Sequence, residues 1–225
     1  MTKNMAKAVP SVFDRRVLEG LGIASVVAGG LFVAAAVAAP KVGFWYLVWN
    51  LFLAYIPLVL TVPLVRAAAR YGWHGWQTVL WGLVWVVWLP NSFYVVTDVA
   101  HLLDHRYGLD PLWGVMLFGT FAALGETVGF MCMLPAHREM RRQVGGTAAY
   151  LLAELVLLVS AIAIYVGRTL RWNSWDVLLH PLAVVRDVGS GLVAGNQVEL
   201  GTTLLFFVVL SGAYAAIWRV FGERT

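Results

Sequence analysis

The chain has 225 residues, 60% of them apolar and only 12% charged, with 11 Trp, 11 Phe and 8 Tyr. An ordinary soluble domain carries roughly a quarter charged residues and about half apolar ones, so a soluble globular enzyme and a disordered chain are excluded, and the single cysteine excludes a disulfide scaffold. The net charge of +4 does not point to nucleic acid, because the basic residues fall mainly between apolar runs, where they report membrane orientation.

A spanning helix needs about 20 apolar residues, at 1.5 Å rise each, to cross roughly 30 Å of hydrocarbon. Six runs reach or nearly reach that length: 17–39, 44–65, 76–96, 112–134, 147–166 and 198–220. Backbone polar groups find no partner in lipid, so each run is expected to be helical. None alternates apolar and polar residues as a barrel strand does. The predicted fold is an all-α membrane protein, a bundle of six transmembrane helices forming a single membrane domain over residues 1–225. Lys3, Lys7, Arg15 and Arg16 precede the first run, which is longer than the about 7–15 residues of a signal-peptide core and meets Pro40. It is read as a retained helix.

Asn50 opens the second run. The third carries Trp81, Trp85 and Trp88, then meets Pro90, which lacks an N–H and clashes with the carbonyl four residues earlier. A broken or kinked third helix is expected. Beyond it Asn91, Tyr94, Asp98, His101 and His105 recur at intervals of three, four, three and four, which on an α-helix sets all five on one face. One reading is loop anchoring. The other is a ligand or catalytic site in which Asp98 and His101 act as base or ligand. Carboxylate and imidazole suit zinc, but no cysteine or HExxH pattern accompanies them, so no metal is expected and any cofactor is left unknown.

Two carboxylates lie deep. Counted at 1.5 Å per residue, Glu126 is roughly 21 Å from the face where its helix enters, and Glu154 about 10 Å from the opposite face, so their depths agree. Ionisable groups inside a membrane are costly and face the bundle interior. A proton relay is one reading. Helix packing is the other, since Gly125 and Gly129 flank Glu126 at small-xxx-small spacing.

After the fifth run come Arg168, Arg171, Trp172, Asn173, Ser174, Trp175 and Asp176. Asn173 or Ser174 can cap a helix running from 174 to about 188, with Asp176 in its first turn near the positive dipole end. Residues 177–195 read as an amphipathic surface segment between the fifth and sixth helices. A cytoplasmic N-terminus sets eleven of the sixteen basic residues on the cytoplasmic side, with both termini inside. The Asn91 stripe, the Arg168–Asp176 loop and Asn50 then share the outer face.

Three segments in this order, WNLFLAYIP at 49–57, WLPNSFYVVTD at 88–98 and GRTLRWNSWD at 167–176, resemble the signatures of the integral membrane family catalogued as domain of unknown function 1361. The resemblance implies a multi-pass protein of a bacterial cell (inner) membrane. It supplies no reaction, substrate or cofactor, and leaves open whether the protein is an enzyme. Three functions compete. The first is an outer-leaflet site in which Asn50, Asn91, Tyr94, Arg168, Arg171, Asn173 and Asp176 bind an anionic lipid or polyprenyl phosphate, processed by Asp98 with His101. The second is an accessory or scaffold subunit with a protein partner or a second copy. The third is a small proton-coupled transporter using Glu126 and Glu154. The bilayer is a partner in all three, and nucleic acid in none.

Overall fold

The computed structural model describes residues 12–39, 43–103, 110–194 and 197–222, apart from the side chains of 101–103, 178 and 192–194. The helices are α1 (Arg15–Ala38), α2 (Trp45–Tyr71), α3 (Trp76–Trp88), α4 (Pro90–Tyr94), α5 (Pro111–Val144), α6 (Gly146–Arg168), α7 (Ser174–Leu179), α8 (Pro181–Ala194) and α9 (Gln197–Ile217). A 3-10 segment, Val95–Leu103, follows α4, and a π turn, Trp218–Gly222, ends α9. Among the described residues six helical stretches are long and apolar enough to cross a membrane, one being the jointed Trp76–Ala100. The chain is a six-pass all-α bundle. Its outer surface is apolar, with Val26, Val37, Val59 and Val198 each more than two-thirds exposed, as a lipid solvent requires.

The central pillar is α5. In its most apolar stretch 56% of residues are buried, against 17% in α1 and 11% in the last helix. Close packing explains this. A Cβ at Gly125 would lie 2.7 Å from the Ser92 carbonyl oxygen, and one at Gly129 2.5 Å from the Phe93 ring. The two glycines therefore let the piece after Pro90 press against α5. The third span breaks where expected: α3 stops at Trp88, and Pro90 takes the first position of α4, where its missing N–H costs nothing. Polar groups at the joint are satisfied. Ser92 Oγ donates to the Ala54 carbonyl at 2.7 Å, and the buried Trp85 indole N–H donates to Thr61 Oγ1 at 2.8 Å.

Two helices outrun their apolar segments. The fourth run fades at 134, yet α5 continues through Pro135 to Val144 and stops at Gly145, whose φ is +85°. Residues 136–144, which lie between the fourth and fifth apolar runs, are helical, because loss of apolar character marks the membrane edge and not the end of a helix. Arg, Glu, Met and Gln all favour helix there. Likewise α2 reaches Tyr71. Gln143 ties the two extensions together, donating to the Ala68 carbonyl at 2.9 Å and accepting the Trp73 N–H at 3.1 Å. The surface segment is two helices instead of one, because Pro181 restarts the chain after His180.

Candidate functional site

The three motif segments meet in one cleft of about 170 Å3. The first turn and a half of α2 supplies Trp49 and Asn50, α4 supplies Asn91 and Tyr94, and the α6–α7 connection supplies Gly167, Trp172, Asn173 and Ser174. Each is positioned by its own segment. Asn91 uses its amide to donate to the Trp88 carbonyl at 2.9 Å, closing the end of α3, and to Ser174 Oγ at 2.8 Å, joining the break to the start of α7. Gly167 leaves room for Tyr94, since a Cβ there would sit 3.2 Å from the tyrosine ring. The Trp172 indole N–H donates to Asp187 on α8 at 3.1 Å.

Behind the cleft, Asn50 Nδ2 donates to Asp98 Oδ2 at 2.9 Å. Asp98 is only 4% exposed, so this bond joins α2 to the 3-10 segment and fixes the orientation of the Asn50 amide. Asp176 is also committed. Its Oδ2 accepts the Asn173 backbone N–H at 2.7 Å and Nδ2 at 3.1 Å, which makes the helix cap expected from the sequence. Arg168 and Arg171 are exposed, and their charges, with that of Asp98, act on the Tyr94 hydroxyl. Arg168 also lines a neighbouring cavity of about 290 Å3 between α6 and α9, beside Tyr165 and Glu199. Arg171 has φ +59°, a left-handed turn that sends the chain from α6 back over the cleft.

A family model described as "Protein of unknown function (DUF1361)" matches residues 49–212, which include all three motifs. The chain belongs to that family. No curated protein and no solved structure matches it.

In this DUF1361 protein Asn91, Tyr94 and Asp98, the described part of the stripe, do not follow one continuous α-helical face. The backbone tightens to 3-10 geometry at Val95, where residues three apart eclipse and the four-residue step rotates away. Asn91 and Tyr94 line the cleft, while Asp98 turns to Asn50. The His101 side chain and all of His105 lie outside the described residues. Among the described residues no three His, Cys, Asp or Glu side chains gather as metal ligands. The cleft's polar lining is therefore amides and hydroxyls, suited to hydrogen-bonding a small polar group.

Glu126 and Glu154 stand on neighbouring helices, α5 and α6. Glu126 is half-buried on α5. Glu154 has a buried Oε1 without a partner and its charge acts on Tyr150 and Tyr214. It belongs to a second polar group at the arginine-rich end. There His137, 1% exposed, meets the Tyr214 hydroxyl through Nδ1 at 2.8 Å and stacks on Trp218 with ring centroids 3.7 Å apart. Sequence reasoning missed His137, Tyr150 and Tyr214. A histidine on a basic stretch with aromatics 77 and 81 positions later gives no local signal. Ser174 appeared only as a helix cap, and Gly167 as part of a motif.

Proposed function

We propose that the cleft binds the polar head of an anionic lipid such as a polyprenyl phosphate, with the chain resting against Trp49, Leu53, Val87 and Val177 beside it. The observation that carries this reading is the convergence of three distant segments on one small polar cavity that has apolar neighbours and two exposed arginines at its rim. A volume of about 170 Å3 is below the roughly 300–1,000 Å3 of a drug-sized pocket. It suits a head group and not a whole lipid. Arg168 and Arg171 supply the charge, and guanidinium forks match phosphate oxygens. Binding is favoured over processing because Asp98 is engaged by Asn50 and serves to orient it. The positive-inside count supports a cleft at the outer leaflet of a cell membrane, with both termini cytoplasmic.

One observation favours the accessory-subunit reading: on α8, beside the cleft, Leu182 is 84% and Val185 69% exposed, an apolar face open to bilayer or partner. Native mass spectrometry of protein gently extracted from its own membrane separates the two. An anionic-lipid adduct lost on Asn91→Leu and on the Arg168→Ala/Arg171→Ala pair is the expected result. A bare monomer, or a protein partner retained in place of lipid, would overturn the lipid reading.

A further inference from the structure

A groove of about 1220 Å3 runs along the side of the bundle between α1 and α5. Gly20 and Ala24 of α1 and Gly119 and Ala123 of α5 line it. Small residues on facing helices normally let them close to contact. α1 and α5 do pack against each other, but along this groove the contact is open, and among the described residues a Cβ at Gly20 or Gly119 would meet no atom within 4 Å. The walls are otherwise apolar. Even Thr120 and Thr127 turn their hydroxyls onto the carbonyls of Met116 and Ala123 in their own helix.

One end of the groove differs, because Arg16 and Arg138 line it. Arg15 beside them is paired with Glu19 at 2.6 Å, but Arg16 has no ion pair among the described residues. Arg138 donates through Nη2 to the Phe221 carbonyl, while its buried Nε has no acceptor among the described residues. A buried guanidinium N–H left without an acceptor is unfavourable. Asp14 sits at the same end, where its carboxylate accepts the Arg16 backbone N–H at 2.8 Å and caps α1. Two arginines against that one carboxylate leave the end positive. At 1.5 Å per residue the α1 wall from Arg16 to Val27 is about 17 Å long and the α5 wall from Val115 to Arg138 about 35 Å, against a ~30 Å hydrocarbon core, so an acyl chain fits along the groove.

We propose that the α1–α5 groove binds one anionic phospholipid, its phosphate on Arg16 and Arg138 and an acyl chain along Gly20, Ala24, Gly119 and Ala123. Charge complementarity at one end and the apolar wall beyond it select this occupant. The lipid fills the open stretch of the α1–α5 contact and so adds cover to a sparsely buried helix. This site lies at the arginine-rich end and shares no residue with the motif cleft, so it stands or falls separately from the head-group reading.

The test is native mass spectrometry of the full chain titrated with phosphatidylglycerol or with phosphatidylcholine of the same chains. Phosphatidylglycerol is expected to bind at least about tenfold more tightly, and Arg16→Gln with Arg138→Gln to abolish that preference. Gly20→Leu and Gly119→Leu, which fill open space, are expected to displace the lipid. Arg168→Ala and Asn91→Leu, which act on the cleft, leave this adduct in place. If Gly119→Leu fails to fold, Gly20→Leu on the exposed face of α1 is read alone. Equal binding of both lipids would reduce the groove to ordinary annular contact and overturn the proposal. So would phosphatidylglycerol retained in the filled variants, or a lipid-free dimer, which would put a second copy of the chain in the groove.

Discussion

Alanine in place of glycine should have opposite effects at two positions of α5. At Gly119 a Cβ meets nothing within 4 Å, so Gly119→Ala gains only the helix-propensity difference, about 0.5–1 kcal/mol of stability. At Gly125 the same Cβ would lie 2.7 Å from the Ser92 carbonyl oxygen and 2.9 Å from Val95 Cβ, distances that real Cβ atoms essentially never show. One of the two obstacles is backbone, so the strain is not relieved by a rotamer change, and overpacking of this kind costs typically 1–3 kcal/mol. The propensity gain is common to both sites. The difference between the variants is therefore the overpacking alone, roughly five- to a hundredfold in an opening equilibrium at about 1.4 kcal/mol per factor of ten. The chain offers its own probe in its single, buried cysteine, Cys132, two turns along the same helix. Thiol labelling in mild denaturant should be slower than wild type in Gly119→Ala and faster in Gly125→Ala, with opening free energies read from the two rates. Because Ser92 and Val95 flank Tyr94, Gly125→Ala should also weaken any adduct in the cleft. Equal rates in the two variants would refute the claim that glycine is required where the broken third span meets α5.

Asn50→Leu leaves the 4%-exposed Asp98 without its amide donor and should destabilise the protein by about 1.5–3 kcal/mol. Adding Asp98→Leu should recover part of that loss in a double-mutant cycle by chemical unfolding. Tyr214→Phe strips a buried histidine of its partner at 2.8 Å and should cost about 1–3 kcal/mol, whereas Tyr214→Phe with His137→Phe should cost less than the single changes predict. Asp176→Ala removes the acceptor for the Asn173 backbone and side-chain N–H groups. It should cost about 0.5–2 kcal/mol at the start of α7, seen as faster hydrogen exchange over Ser174–Leu179 with the six spanning helices unchanged.

What the sequence made legible follows from the range of the interactions involved. Apolar run length is a local property set by bilayer thickness, and all six spans could be counted from it. The break at Pro90 and the Asn173–Asp176 cap are equally local, one a missing donor and the other a bond across three residues. The ends of α2 and α5 were not legible, because hydropathy reports where lipid stops, while helix ends are set by residues such as Gly145. The 3-10 tightening at Val95 was hidden for a related reason. The spacing of Asn91, Tyr94 and Asp98 fits an α-helix, and only the press of Ser92 and Val95 against Gly125 shows how the segment is packed.

The same distinction separates the parts of the candidate site. That the three motifs share a membrane face could be argued from charge and topology; that they share a cleft depends on Asn91 reaching Ser174, 83 residues away, and on Gly167 making room for Tyr94. Long-range pairing also reassigns roles. Asp98 and Asp176, the two carboxylates most suggestive of chemistry, each have a structural partner, so the polar groups left facing the cleft are the neutral ones. A cavity lined by amides and hydroxyls recognises a ligand through hydrogen bonds and leaves the net charge to Arg168 and Arg171 at its rim. Losing an arginine should therefore weaken binding in a salt-dependent way, and losing Asn91 should weaken it at every ionic strength. If both losses showed the same salt dependence, the division of labour between cleft and rim would be wrong.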